Sequence, residues 1–230
     1  MIFRQLFDKT SSTYTYLLAE RQGAEALLID PVLKNTGRYV RLIEELNLKL
    51  VMAVDTHIHA DHITALGALG DNTDCATAIG AMSRAECVTQ HFHEGEKLYA
   101  DNLQLDILYI PGHTDDSYSF RLPDRVFTGD TLLIRGTGRT DFQNGDPAAQ
   151  YDSLFNKLLR LPEDTLVYPA HDYHGMTVST IGEERHHNPR LQVSGMQAYV
   201  ELMNVLELDD PRMMDIAIPA NRACGLLDAA

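Results

Sequence analysis

The stretch Asp55-Thr56-His57-Ile58-His59-Ala60-Asp61-His62 decides how the rest of the sequence is interpreted, because five of its eight side chains can bind a metal ion. It follows the apolar run 50–54, which is typical of a buried β-strand. His57 and His59 are two residues apart, so an extended backbone directs both imidazoles to one side. The pattern predicts a metal site at the carboxyl end of a strand, where open α/β sheets place their sites. The alternative is a solvated loop that is rich in histidine.

Four strand-like runs end close to a residue that can bind a metal. These pairs are Val54 before His57, Ile110 before His113, Phe127 before Asp130, and Tyr168 before His171. If the four strands belong to one layered α/β body, their ends can converge on a single metal pocket. The mixture of hairpin-like strands and helical stretches predicts an α/β fold with two sheets flanked by helices, instead of one doubly wound sheet.

The remaining secondary structure follows from periodicity and turn residues. The sequence predicts strands over residues 13–18, 26–29, 103–110, 118–122, 126–127 and 165–168, and helices over 37–48, 63–69, 83–92, 147–160 and 195–206. The helix over 83–92 rests on a capping-box pattern, Ser83 followed by Glu86. The end of the chain, residues 219–225, is expected to be irregular, and the acidic run 208–210 to be a solvated loop.

Composition limits the functional classes. The 230-residue chain has a formal net charge of −14, which argues against binding to nucleic acid or to anionic membranes. No apolar run reaches 18 residues, and the N-terminus shows no targeting segment. The three cysteines, Cys75, Cys87 and Cys224, lack a CxxC spacing, so we expect reduced thiols, a cytoplasmic protein, and buried positions for Cys75 and Cys87.

The spacing His57-x-His59-x-Asp61-His62, followed by His113, Asp130 and His171, resembles the metallo-β-lactamase fold. Further blocks over residues 128–136, 138–143, 168–175, 188–190 and 219–225 resemble the persulfide dioxygenase family within it. Together they cover nearly the whole chain. The resemblance implies an αββα sandwich of two mixed β-sheets flanked by helices, in a single domain over residues 1–230 with a family-specific C-terminal extension from about residue 190.

The resemblance also implies a reaction. One non-haem Fe(II) per chain would be held by His57, His113 and Asp130. These three residues are then both the metal ligands and the catalytic residues. Two histidines and one carboxylate are the ligand set typical of non-haem iron oxygenases. The enzyme would oxidise the sulfane sulfur of glutathione persulfide with O₂ to sulfite and glutathione, in sulfide detoxification. The sulfur supplies the electrons, so no external reductant is needed. A homodimer is the family expectation.

Four further side chains in the pattern leave the number of metal ions open. His59, Asp61, His62 and His171 could form a second metal site, and spacing alone favours a dinuclear hydrolase. The resemblance favours one iron, with these four residues orienting the ligands through hydrogen bonds. The alternatives are a metal-dependent thioesterase of the hydroxyacylglutathione hydrolase type and a non-catalytic protein that binds or senses persulfides.

Three residues are candidates for binding the substrate. The carboxylates of glutathione require a cation in this acidic protein, and Arg139 follows a glycine-rich turn after the strand of Asp130. Tyr173 follows the His171 motif, and Arg222 lies in the C-terminal block. For Arg139 the alternative is a structural ion pair with Asp141 or another carboxylate, and for Arg222 a structural role is the favoured interpretation.

Overall fold

The computed structural model describes residues 1–208 and 213–226. The chain divides into two compact units, the first formed by residues 1–105 with the described C-terminal residues 213–226, and the second by residues 106–208. One domain over 1–230 with an extension from about residue 190 stays a prediction. The predicted acidic loop lies outside the described residues from position 209 onward.

The described chain contains twelve strands and six α-helices. In order they are β1 Ile2–Asp8, β2 Thr13–Ala19, β3 Glu25–Ile29, α1 Thr36–Glu45, β4 Lys49–Val54, α2 Leu66–Thr73, β5 Ala76–Gly80, β6 Gln90–Phe92, β7 Lys97–Ala100, β8 Leu103–Tyr109, β9 Tyr118–Leu122, β10 Arg125–Phe127, α3 Pro147–Asp152, β11 Leu166–Tyr168, β12 Ser179–Thr180, α4 Ile181–His187, α5 Met196–Asn204 and α6 Met214–Arg222. A π-helical turn and a 3₁₀ turn continue α3 to Arg160, so the helix predicted over 147–160 is helical throughout.

The first unit contains a mixed sheet in the order β1-β2-β3-β4-β5-β6. The pairs from β1 to β3 are antiparallel, and those from β3 to β6 are parallel. Helices α1 and α2 bury their apolar sides against one face of this sheet. Their residues Tyr39, Ile43, Leu66 and Leu69 form a core cluster with Leu17, Leu28 and Ala53 of the strands. This packing fixes β4, whose carboxyl end leads into the histidine-rich stretch.

The second unit contains strands in the order β12-β11-β10-β9-β8, with β10 and β11 parallel and the other pairs antiparallel. Helices α3, α4 and α5 supply its core cluster, in which Leu154, Ile181 and Tyr199 pack with Val126 and Val167 of the central strands. The parallel pair places the ends of β10 and β11 side by side.

The predicted positions of the candidate ligands, shortly after strand ends, are confirmed. Strands β4, β8, β10 and β11 end at Val54, Tyr109, Phe127 and Tyr168, and a predicted ligand follows each within four residues. Strands β1, β5, β6, β7 and β12 and helix α4 were not predicted.

The predicted helix over 83–92 is wrong. The chain makes one 3₁₀ turn over Ala81–Ser83 and then a loop that leads into β6. The Ser83 hydroxyl accepts a hydrogen bond from the backbone N–H of Ala85 at 3.3 Å, and Arg84 takes a left-handed conformation with φ 57°. A local serine bond of this kind competes with helix formation, so the capping-box pattern did not start a helix.

The prediction of an irregular end over residues 219–225 is wrong for 219–222, which complete a helix, while 223–225 form a turn outside any helix. Residues 214–222 form α6, which includes Pro219 and buries Ala217, Ala220 and Asn221. Proline lacks an N–H and disfavours helical interiors, but tertiary packing prevails here. No helix among the described residues is long and apolar enough to cross a membrane.

The cysteine prediction needs correction as well. Cys87 and Cys224 form a disulfide across 137 residues, and Cys87 is exposed instead of buried. Cys75 is buried with a free thiol, as predicted, and burial raises the pKa of that thiol. The pairing depends on α6, which brings Cys224 to the loop after the 3₁₀ turn, so the spacing of cysteines in the sequence did not reveal it.

Candidate metal centre

Three predicted side chains meet at the strand ends of the second unit. His113, Asp130 and His171 follow β8, β10 and β11 respectively. The Nδ1 atom of His171 lies 2.7 Å from Oδ1 of Asp130, and the Nε2 atom of His113 lies 3.6 Å from Oδ2 of the same carboxylate. The two oxygens of Asp130 therefore face different partners, one a hydrogen-bonding imidazole and the other a second potential metal ligand.

The hydrogen bonds of His113 fix which nitrogen can bind a metal. Its Nδ1 atom lies 2.7 Å from the carbonyl oxygen of Arg139, and a carbonyl can only accept, so Nδ1 carries the proton. In the neutral ring, Nε2 then keeps its lone pair and lies toward Asp130. A backbone carbonyl that holds the tautomer of a ligating histidine is a common feature of metal sites, so this half of the site fits a metal ion.

The backbone at Gly138 lies directly against both candidate ligands. Its N–H donates to the carbonyl oxygen of Asp130 at 2.7 Å. A Cβ atom at position 138 would lie 2.4 Å from that oxygen and 2.7 Å from Nδ1 of His113. Only glycine fits here, so the glycine-rich block quoted from the sequence has a steric reason.

A buried carboxylate supports the loop that carries Gly138. Glu184 is fully buried and accepts hydrogen bonds from the backbone N–H of Arg135 (2.8 Å), from the guanidinium of Arg135, from Ser179 Oγ (2.6 Å) and from Asn188 Nδ2 (2.8 Å). Asn188 also donates to the carbonyl of Gly136 at 2.9 Å. The Arg190 guanidinium donates to the carbonyl of Thr137. The block over 188–190 thus holds the loop after Asp130.

The histidine-rich stretch forms a buried cluster in the first unit. The rings of His57, His59 and His62 are 2%, 0% and 3% exposed, with centroid distances of 4.2 Å between the first two and 4.3 Å between the last two. Asp61 contacts Nδ1 of His62 at 3.1 Å and the Thr13 hydroxyl at 3.2 Å. Imidazoles this close and this dry are typical of metal centres.

Asp30 organises this cluster, although the sequence interpretation did not select it. Its Oδ1 atom accepts from the backbone N–H of Thr56 at 2.7 Å and from the Thr56 hydroxyl at 3.0 Å. Because that hydroxyl proton is committed to Asp30, the 3.0 Å contact between Thr56 Oγ1 and His57 Nδ1 has the histidine as donor. His57 therefore offers Nε2. The sequence did offer one sign of this role: Asp30 directly follows a predicted strand, and the candidate ligands that were selected also lie within a few residues of strand ends.

Asp30 also sets the charge of His59. Burial disfavours a charged imidazole, but the charge of Asp30 and its hydrogen bond to His59 Nε2 at 3.1 Å prevail and raise the pKa of His59 to about 9. Two sets in this unit have ligand atoms within 4.8 Å of one another: His59 with Asp61 and His62, and His59 with Asp30 and Asp55. Either set could hold a cation.

The three predicted substrate-binding residues have different surroundings. Arg139 forms a two-point ion pair with Asp141 at 2.7 and 2.8 Å, and its guanidinium lies 4.2 Å from the Phe142 ring centroid. The hydrogen bond from Arg139 lowers the pKa of Asp141. Tyr173 is 67% exposed, with its ring parallel to that of His171 at 6.2 Å. Arg222 is exposed at the end of α6 in the first unit.

Comparison with known proteins gives consistent relatives. The family described as the metallo-beta-lactamase superfamily matches residues 9–171. The mouse protein named persulfide dioxygenase ETHE1, mitochondrial, is 47% identical over 229 residues, which is 98% of this chain and 89% of the mouse protein. The human protein of that name is 46% identical with the same coverage.

Solved structures agree with these relatives. The crystal structure of ETHE1 from Myxococcus xanthus is 50% identical, has a TM-score of 0.95, and covers 98% of this chain and 100% of its own. A more distant structure, TTHA1623 in a di-iron-bound form, is 25% identical with a TM-score of 0.70, covering 81% of this chain and 98% of its own.

Proposed function

The chain belongs to the metallo-β-lactamase superfamily and, within it, to the persulfide dioxygenases, and we propose that it is an enzyme that oxidises a persulfide with O₂. The observation that carries the proposal is near-half identity to persulfide dioxygenases over 98% of the chain. The predicted fold, two mixed sheets flanked by helices, is confirmed by the same relatives. We further propose that the substrate is glutathione persulfide, that the enzyme is a homodimer, and that it is cytoplasmic. The mammalian relatives, by contrast, are named mitochondrial.

We propose that His57, His113 and Asp130 hold one Fe(II), because two imidazoles and one carboxylate suit a non-haem iron that reacts with O₂. Support comes from each unit separately: His57 and His113 each commit Nδ1–H to a local acceptor and keep Nε2 for a metal. When bound, the iron supplies a centre at which a thiolate-type sulfur and O₂ can be activated together.

The other polar residues of the pattern orient these ligands. His171 donates from Nδ1 to Asp130 Oδ1, which leaves Oδ2 as the oxygen nearer to His113. His59 binds Asp30, the residue that also orients His57 through Thr56. These contacts favour the hydrogen-bonding role for His59 and His171, and we extend it to Asp61 and His62.

Metal analysis with an oxygen electrode tests the function. We expect about one iron per chain and, with glutathione persulfide, one O₂ consumed per sulfite formed, because sulfane sulfur gives four electrons: GSSH + O₂ + H₂O → GSH + HSO₃⁻ + H⁺. The compact set of His59, Asp61 and His62 favours the competing dinuclear thioesterase. Two equivalents of zinc with hydrolysis of S-lactoylglutathione and no O₂ uptake would contradict the dioxygenase proposal.

We also propose that Arg139, Tyr173 and Arg222 bind the glutathione part. The exposed Tyr173 ring beside His171 can contact the peptide, and Arg139 can exchange its Asp141 partner for a substrate carboxylate. Arg222, in the other unit, has the weakest support.

Arg139→Ala is expected to raise KM for glutathione persulfide about tenfold or more with unchanged iron content, since a charge-assisted hydrogen bond contributes about 1.5–3 kcal/mol. Steady-state O₂ uptake and metal analysis measure both quantities. Arg125→Ala is the matched control, because Arg125 also makes a two-point pair, with Asp124, and also lies over an aromatic ring, that of Tyr168. Equal KM values for the wild type and Arg139→Ala would remove Arg139 from the substrate site.

A further inference from the structure

One buried amide from the C-terminal helix holds the histidine-rich loop by its backbone. Asn221 is 3% exposed and lies in α6. Its Nδ2 atom donates to the carbonyl oxygens of His59 and His62, at 2.8 Å each, and its Oδ1 atom accepts from the N–H of Thr64 at 2.8 Å. Both protons of the amide nitrogen are used, and all three bonds go to one six-residue stretch of loop.

These bonds matter because the loop has no strand or helix of its own. Residues 55–65 lie between β4 and α2, and neighbouring strands and loops bond this stretch by backbone at its ends, at Asp55, Ile63 and Ala65. Asn221 adds its bonds to the carbonyls of His59 and His62, which lie between those ends. A buried carbonyl that loses its donor costs about 1–3 kcal/mol. The carbonyls of His59 and His62 flank Asp61, so their positions set the direction of three side chains in the cluster.

The segment that carries Asn221 is itself held tightly against the loop. The N–H of Gly67 donates to the carbonyl of Cys224 at 2.9 Å. A Cβ atom at Gly225 would lie 2.1 Å from the carbonyl oxygen of Thr64, and one at Gly67 would lie 2.8 Å from the carbonyl oxygen of Cys224. The disulfide between Cys87 and Cys224 joins the same segment covalently to the loop before β6.

We propose that Asn221 is a positioning residue for the metal-binding loop, and that the Cys87–Cys224 disulfide keeps α6 where Asn221 can act. The proposal rests on the proposed function only in assigning a metal to this loop. Asn221 acts through the backbone: it fixes the carbonyls of His59 and His62, and through them the imidazoles of the stretch that includes His57. This gives the C-terminal block of the sequence a physical role at a site that precedes it by about 160 residues.

Asn221→Asp is the sharpest variant, because the side chain keeps its size. An aspartate can still accept from Thr64, but it sets a carboxylate oxygen against the carbonyl oxygens of His59 and His62. We expect at least tenfold weaker metal binding in competition with a chelator, and a changed ligand-field absorption spectrum of the Co(II)-loaded protein. Asn72→Ala is the control, because Asn72 is an exposed asparagine of α2.

These readouts separate positioning from general stability. A residue that only stabilises the fold would lower the melting temperature of the metal-free protein and leave the Co(II) spectrum of the folded fraction as in the wild type. That outcome, or wild-type metal affinity in Asn221→Asp, overturns the proposal. Metal affinity and the Co(II) spectrum do not depend on persulfide turnover, so a failure of the proposed reaction would be seen separately.

Cys87→Ser tests the disulfide and also serves if Asn221→Asp does not fold. Cys87 is exposed, so serine at this position leaves no buried cavity. We expect Co(II) to dissociate several-fold faster than from the wild type. We expect the double variant with Asn221→Asp to dissociate no faster than Asn221→Asp alone, because both changes release the same contact. If Co(II) dissociates from Cys87→Ser at the wild-type rate, the role of the disulfide is overturned. If, in addition, Asn221→Asp does not fold, the same result overturns the positioning proposal.

Discussion

Gly138→Ala is expected to remove at least about 100-fold of kcat/KM, since misplacement of a catalytic group by about 1 Å is enough for such a loss. The added Cβ would lie 2.4 Å from the Asp130 carbonyl oxygen and 2.7 Å from His113 Nδ1, both shorter than real Cβ contacts. Neither neighbour can yield cheaply, because one is backbone and the other is a candidate ligand. Oxygen uptake and iron content together measure the result.

The backbone must therefore move, and its movement reaches the metal site by a defined route. The carbonyl oxygen of Arg139, directly after Gly138, accepts the Nδ1 proton of His113. A displaced carbonyl frees the ring to rotate or to change tautomer, and changes of this kind to the partner of a metal ligand typically cost 10- to 100-fold in metal affinity or activity. Iron content is expected to fall with activity.

Gly136→Ala is the matched control for this prediction. It lies in the same loop, and its added Cβ would meet nothing closer than Leu133 Cβ at 3.9 Å, which is an ordinary contact. Its activity should stay within about twofold of the wild type, by the usual tolerance of uncrowded surface substitutions. Near-normal activity of Gly138→Ala, or equal losses in both variants, would show that the close approach at Gly138 does not govern the site.

The sequence predicted the strand ends well, because they are local features. An apolar run followed within four residues by His113, Asp130 or His171 can be recognised without knowing any partner. The same reasoning did not select Asp30, since a single aspartate before a proline is also an ordinary strand end. Its importance depends on Thr56 and His59, which reach it from another strand end.

Most of the features that were missed depend on distant contacts. Pro219 disfavours a helix interior, and packing of Ala217, Ala220 and Asn221 is why α6 forms. The Cys87–Cys224 disulfide follows from that helix. The Arg139–Asp141 pair was foreseen as an alternative from adjacency alone. Long-range pairings carry no periodic signal, so propensity and pattern could not reveal them.

Glu184→Gln is expected to lower the free energy of unfolding by about 3 kcal/mol, the lower end of the range for removing one partner of a buried ion pair. The carboxylate is fully buried, while the side chain of Arg135 is 30% exposed and can recover some hydration. Glutamine keeps the shape but removes the charge that the guanidinium meets. Its amide nitrogen would also face two of the four donors, because each carboxylate oxygen of Glu184 now accepts two hydrogen bonds. Urea denaturation of the metal-free protein measures the change without any contribution from metal binding.

Glu183→Gln separates the effect of burial from that of charge. Glu183 pairs with the same guanidinium, but its side chain is 41% exposed, and surface pairs contribute at most about 1 kcal/mol. The two variants remove one negative charge each from adjacent positions, so they alter the net charge equally. A difference of about 2 kcal/mol between them therefore reports burial and the lost acceptor, since Arg135 keeps the other carboxylate in both. If both variants lose the same free energy of unfolding, the two carboxylates contribute only through their charge on Arg135. In that case the hydrogen bonds of Glu184 do not hold the loop between Asp130 and Arg139.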